Sequence, residues 1–143
     1  VPSELIAAFL LAQMEEAESI TNRRREIWKC YHDAVEPIES DGKVRRPIIP
    51  DQCTHNAHMY YLLLPNLAGR TSFIAYLKKF GIQSVFHYVP LHSSPMGLKS
   101  GRACGKLSVT TDISERFVRL PLWIGIEPHL DAIITHVCEA AAG

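Results

Sequence analysis

The first forty residues constrain this chain more than any other part of it. Apolar residues recur at helical spacing from Leu5 and Ile6 through Phe9, Leu10, Ala17, Ile20, Ile27, Tyr31 and Ala34 to Ile38, with Gln13 as an interruption. Pro2 suits a first turn, Ser3 can cap it, and Glu4 complements the positive helix end. No stop signal intervenes before Pro37 and the turn Ser40-Asp41-Gly42. The spacing predicts one helix of about ten turns, roughly 50 Å long. Its middle, residues 21–26, is polar all round. A helix of that length in a chain of 143 residues is expected to bridge two bodies. The chain enters it directly from Val1, without an initiating methionine, so we expect the segment to begin inside a larger protein.

Beyond the turn the pattern changes. Arg46-Pro47-Ile48-Ile49-Pro50-Asp51 reads as an extended loop, because each proline restricts its predecessor. Residues 58–64, short, aromatic and apolar, predict a buried strand. Residues 71–80 predict an amphipathic helix with Phe73, Ile74, Leu77 and Phe80 on one side, closed by Gly81 in the left-handed conformation. Residues 83–88 predict a second strand, and 89–107 a long loop rich in Pro, Gly and Ser. Asp112 and Glu115 suggest a capping box for a helix running to about Arg119. Residues 120–123 read as extended. Glu127-Pro128 opens a last helix with Leu130, Ile133, Ile134 and Val137 inward. This order predicts an α+β fold: a connecting helix over residues 1–40, then a domain over 41–143 with a small, mainly antiparallel sheet and helices on one face. Phe9, Trp28, Tyr31 and Phe73 are expected in the core or at an interface.

Charge and cysteine usage exclude several function classes. Lys+Arg and Asp+Glu both number 15, so no long-range field draws the chain to nucleic acid or to an anionic membrane. The longest apolar stretch, residues 5–12, is too short to span a bilayer. Cys30, Cys53, Cys104 and Cys138 are scattered, which suits free thiols in the cytoplasm. Cys53, His55 and His58 lie close in sequence but lack a fourth ligand, and strand alternation would point the two histidines apart, so no metal site is expected. Arg23-Arg24-Arg25 reads as a solvated helix face or a domain contact rather than a phosphate clamp.

The chemistry-bearing run is Phe86-His87-Tyr88-Val89-Pro90-Leu91-His92-Ser93-Ser94-Pro95. It resembles the H-Y-x-P-L-H-x-x-P signature of the nucleotide-sugar aminotransferases, which make amino- and deoxyamino-sugars. Downstream, Ser114-Glu115-Arg116-Phe117-Val118-Arg119-Leu120-Pro121-Leu122 resembles the same family's S-x-R-x-x-x-L-P-L segment. The opening Val1-Pro2-Ser3-Glu4-Leu5-Ile6-Ala7-Ala8 and the stretch Asn56-Ala57-His58-Met59-Tyr60-Tyr61 are similar to one branch, the dTDP-4-amino-4,6-dideoxygalactose transaminases. That branch aminates dTDP-4-keto-6-deoxy-glucose for bacterial surface polysaccharides. The matches run in order along essentially the whole chain.

The resemblance implies a type I aminotransferase fold, in which a large domain holds pyridoxal phosphate and a C-terminal small domain follows a long helix. This chain would be that helix and small domain. The parent would be a homodimer that moves an amino group, from glutamate in the leading reading, to a dTDP-linked keto-sugar. Transamination needs an amine nucleophile, a carboxylate at the pyridine nitrogen and donors for the phosphate. None of Lys29, Lys43, Lys78, Lys79, Lys99 and Lys106 stands in a motif like the family's Schiff-base lysine, so no catalytic residue is assigned and no cofactor is expected on this chain alone. His87, Tyr88 and His92 are the candidates for a wall of the substrate and cofactor pocket. The competing reading of these residues is that they finish a strand with their polar tips satisfied by backbone. A sugar 3-aminotransferase, a dehydratase-like relative and a non-catalytic binding or dimerisation module are the rival functions.

Overall fold

A computed structural model describes residues 3–143; Pro2 and its contribution to the helix opening lie outside the described residues. The predicted forty-residue helix is two helices. Helix α1 spans Glu4–Glu15 and α2 spans Ala17–Ser40, separated at Glu16, whose backbone (φ −96°, ψ 5°) leaves the helical region. No Pro, Gly or capping side chain marks the break. Ser3 caps α1 by accepting from the Ile6 amide. None of α1 is buried, and Phe9 is 70% exposed. Helix α2 places Ile27, Tyr31 and Val35, at i, i+4 steps, and the adjacent Trp28 in the core along one face. It continues through Pro37 to Ser40 and closes with the paired bonds Lys43 N–H to Ile38 C=O (3.2 Å) and Gly42 N–H to Glu39 C=O (2.8 Å).

The sheet is small. Strand β1 (Tyr60–Leu63) pairs antiparallel with β2 (Phe117–Leu120), in the register Tyr60 to Leu120 and Leu63 to Phe117. Single bridges extend it on both sides, Arg45 to Leu63 and Val85 to Arg119. Residues 83–88 therefore form one bridge rather than the expected strand. Residues 117–119, expected as the tail of a helix, are most of β2. The helix before it, α5, spans Ser108–Arg116 and starts at Leu107 without a side-chain cap, so Asp112 and Glu115 lie within it. There Asp112 pairs with Arg116 at 3.0 Å. The long loop contains a short helix, α4 (Pro95–Ser100), capped by Ser94 with Pro95 at its first turn.

Alternation divides the sheet. Tyr60, Leu62, Val118 and Leu120 point into one core with α2, α3 (Leu67–Lys79) and α6 (Leu130–Ala142). Helix α3 contributes Phe73 and Leu77, and α6 contributes Leu130, Ile133 and Val137, as the apolar spacing predicts, whereas Phe80, expected on the same side, lies at the C-cap of α3 and is 49% exposed. Asn66 caps α3. Gly81 (φ +73°) ends it, so that Ile82 N–H reaches Leu77 C=O at 3.1 Å while both side chains are buried. Tyr61, Phe117 and Arg119, on the other face, are half-buried. Among the described residues no helix is long and apolar enough to cross a membrane.

One polar cluster holds the end of α2 to the loop that follows. Arg46 donates to both carboxylate oxygens of Glu39 (2.7 Å from its amide, 2.6 Å from Nε) and to His32 C=O (2.6 Å). Burial raises the pKa of the Glu39 carboxyl, but the Arg46 bonds and charge outweigh this and hold it below its usual 4.5. A depressed carboxyl stabilises the fold above its unfolded pKa, and that contribution disappears as pH falls through the lower native value. Unfolding midpoints followed from neutrality into acid should therefore fall more steeply for the parent sequence than for Glu39→Gln. Parallel curves would show that the pair contributes nothing.

Candidate functional site

The site is assembled where the Gly81 turn returns the chain along β2. Val85 and Arg119 exchange both backbone hydrogen bonds, 3.2 Å from the Val85 amide and 2.7 Å from the Arg119 amide. Two residues later His87 reaches the half-buried face of the sheet. Its ring lies 5.7 Å from that of Phe117, and its Nδ1 is 3.2 Å from Arg119 Nη1. Burial lowers the His87 pKa below its usual value, and the charges of Arg119 and His58 act in the same direction. The His87–Tyr88 peptide is cis, and the Tyr88 ring sits 4.3 Å from the imidazole with 65% of the residue exposed.

The chain then turns. Ser93 and Ser94 both donate backbone N–H groups to Pro90 C=O at 3.0 Å, and His92 Nε2 lies 3.2 Å from Thr111 Oγ1 on α5. An open groove of about 750 Å³ results. The segment from His87 to Leu91 forms one bank, Val109, Thr110 and Ile113 of α5 form the other, and Phe117 is also part of the lining. The structure thus brings His87 and Tyr88 together on the groove. His92 is not part of the lining and instead ties the loop to α5.

Gly97 locks this turn against α4. A Cβ on it would fall 1.6 Å from Leu91 O and 2.9 Å from Ser94 Oγ, closer than real atoms approach. Gly97→Ala should displace the Leu91–His92 turn, separate His92 from Thr111 and cost about 1–3 kcal/mol. Denaturant unfolding together with the His92 ring resonances would measure both effects. Unchanged resonances would refute the steric argument.

The other singled-out residues have structural partners. The His55 ring lies 4.6 Å from that of Trp28, and His58 Nδ1 is 3.0 Å from Asn56 Oδ1. Among the described residues, no three His, Cys, Asp or Glu side chains converge as metal ligands. Arg23 Nε donates to Glu127 at 3.1 Å and Arg25 Nε to His55 C=O at 2.8 Å, so the arginine run contacts the domain. A larger recess of about 840 Å³ lies between the end of α3, residues 119–123 and α6. It contains neither His87 nor Tyr88, and the motif residues favour the smaller groove. Arg119 and the groove-lining part of α5 were not identified as site residues from the sequence. The local signal for Arg119 was a single charged side chain between the apolar Val118 and Leu120, as on the open face of a half-buried strand.

The DegT/DnrJ/EryC1/StrS aminotransferase family matches residues 3–140. The chain belongs to that family. An uncharacterized protein of Methanocaldococcus jannaschii is 32% identical to it over 126 residues, covering 85% of this chain and 32% of the relative. Among solved structures, an aminotransferase of this family from Brucella abortus is 27% identical with a TM-score of 0.77, over 96% of this chain and 35% of that one. DesV of S. venezuelae, solved with a ketimine intermediate, is 21% identical with a TM-score of 0.84, over 96% of this chain and 36% of that one. The aminotransferase TlmJ from Streptoalloteichus hindustanus is 22% identical with a TM-score of 0.79, over 92% and 34%. The chain therefore spans about a third of the length of these relatives, and its helix-rich body with a two-stranded antiparallel sheet matches part of an aminotransferase fold.

Proposed function

We propose that this DegT/DnrJ/EryC1/StrS chain is the C-terminal part of a cytoplasmic, homodimeric, pyridoxal-phosphate-dependent nucleotide-sugar aminotransferase. Residues 1–40 are its lead-in segment and 41–143 its small domain. The parent transfers an amino group from glutamate to the keto carbon of a dTDP-4-keto-6-deoxy-hexose. The observation that carries the reading is the position of the His87-Tyr88-Val89-Pro90-Leu91 run, which forms one bank of a groove with its imidazole and phenol beside it.

Bound in the parent, the cofactor supplies an electron sink for moving the amino group. This chain's groove does not fit the whole cofactor: neither a lysine amine nor a carboxylate belongs to its lining. Lys29 instead pairs with Asp33, and Lys43 donates to Ala142 C=O. The chain's own residues bind and orient. Tyr88 and His87 offer hydrogen bonds to a sugar or phosphate, Phe117 and Ile113 exclude water, and the His92–Thr111 contact holds the loop in place.

The full-length parent, incubated with glutamate and dTDP-4-keto-6-deoxy-glucose, should yield the 4-amino sugar nucleotide by mass spectrometry and NMR. A 3-amino product from the 3-keto isomer, or no amino sugar at all, would overturn the branch assignment. The 143-residue chain alone should show no aldimine absorbance with added pyridoxal phosphate.

A further inference from the structure

Arg119 has no carboxylate within ion-pair distance among the described residues, unlike Arg23, Arg46 and Arg116. Its backbone is fixed from both sides, opposite Tyr61 in β1 and bonded to Val85. Its Nη1 is directed at His87 Nδ1, 3.2 Å away. A guanidinium carries N–H donors only and stays charged at any working pH. A hydrogen bond between these two atoms therefore requires a lone pair on Nδ1, which puts the imidazole proton on Nε2.

We infer that Arg119 is a positioning residue that holds the His87 imidazole in the Nε2–H tautomer, so that the groove presents a hydrogen-bond donor and takes an acceptor oxygen of its ligand. Protonating Nδ1 would set an N–H against an N–H and a cation against a cation. The charge of His58, before β1, acts on the ring in the same direction as that of Arg119, while the Tyr88 and Phe117 rings pack beside it. His87 Nε2 has no hydrogen-bond partner among the described residues, and His87 lines the groove, which leaves this donor for a ligand. A carbonyl, phosphate or carboxylate oxygen satisfies it, whereas an ammonium does not. The ligand half of this inference rests on the proposed function; the tautomer does not.

Long-range proton–nitrogen spectra of the 143-residue chain, titrated through the histidine range, provide the test. The parent sequence should show His87 as a single Nε2–H tautomer with a midpoint below the usual histidine value. In Arg119→Met the midpoint should rise and the two tautomers should mix. In Arg119→Glu the carboxylate accepts from Nδ1, so the tautomer should invert and the midpoint should rise further. An Nδ1–H pattern in the parent sequence overturns the inference without any variant. So does an unchanged tautomer and midpoint in both variants with native amide spectra. The functional reading fails separately: a His87→Ala parent enzyme with unaltered turnover would sink that reading and leave the tautomer measurement standing.

Discussion

Phe73→Ala should lower the unfolding free energy by about 3–5 kcal/mol. Phe73 is 1% exposed and sits one helical turn before Leu77, which is fully buried, on the face of α3 that meets the shared core. Truncation removes the transfer free energy of the ring and leaves a cavity in a core whose members are themselves closely packed and have little freedom to fill it. Domains of this size are stable by only about 5–15 kcal/mol, so the variant should lie close to the unfolding threshold at room temperature. Phe9→Ala provides the contrast. Phe9 is an aromatic residue on an apolar helix face, yet it is 70% exposed and α1 buries nothing in this chain. Its replacement should change stability by no more than about 0.5 kcal/mol. Denaturant titrations of both variants decide the matter. Equal losses would mean that α1 belongs to the core.

The contrast also shows where the sequence was legible. Helices α2, α3 and α6 could be read because each carries an apolar stripe at helical spacing, and α3 has an αL glycine after its end. Phe9 and Trp28 share the same residue chemistry and the same periodic context, but only a partner surface determines which of them is buried, and no local pattern encodes that surface. The break at Glu16 left no trace in composition. Strand β2 was missed because four residues of alternation followed a plausible capping box, and a short strand is fixed by its pairing with β1 some 57 residues earlier rather than by its own residues. The strand expected at 83–88 is in the structure a single bridge from Val85 to Arg119. The site divides in the same way. His87 and Tyr88 were legible because they belong to a contiguous motif, whereas the Arg119 contact to His87 spans 32 positions and depends on sheet register.

His87→Ala in the full-length parent should reduce kcat/KM for the nucleotide sugar by roughly 10- to 100-fold, the effect of losing one hydrogen bond to a charged or strongly polar oxygen, about 1.5–3 kcal/mol. The imidazole is half-buried, with Phe117 on one side and Arg119 on the other, so its ring plane is set before any ligand arrives. Removing it should leave the fold intact, because the neighbouring bridge between Val85 and Arg119 uses backbone atoms alone. It also removes the imidazole that Arg119 Nη1 contacts, leaving that guanidinium without this partner behind the groove. The charge of Arg119 can then attract the same oxygen, which limits the loss and predicts a stronger salt dependence of KM in the variant than in the parent. His87→Gln separates geometry from charge. Its amide can donate near the Nε2 position while its oxygen accepts from Arg119, so it should recover part of the activity. Steady-state kinetics of the parent and the two variants at two ionic strengths read all of these effects. If His87→Ala matched the parent in kcat, KM and salt response, this bank of the groove would not face the substrate.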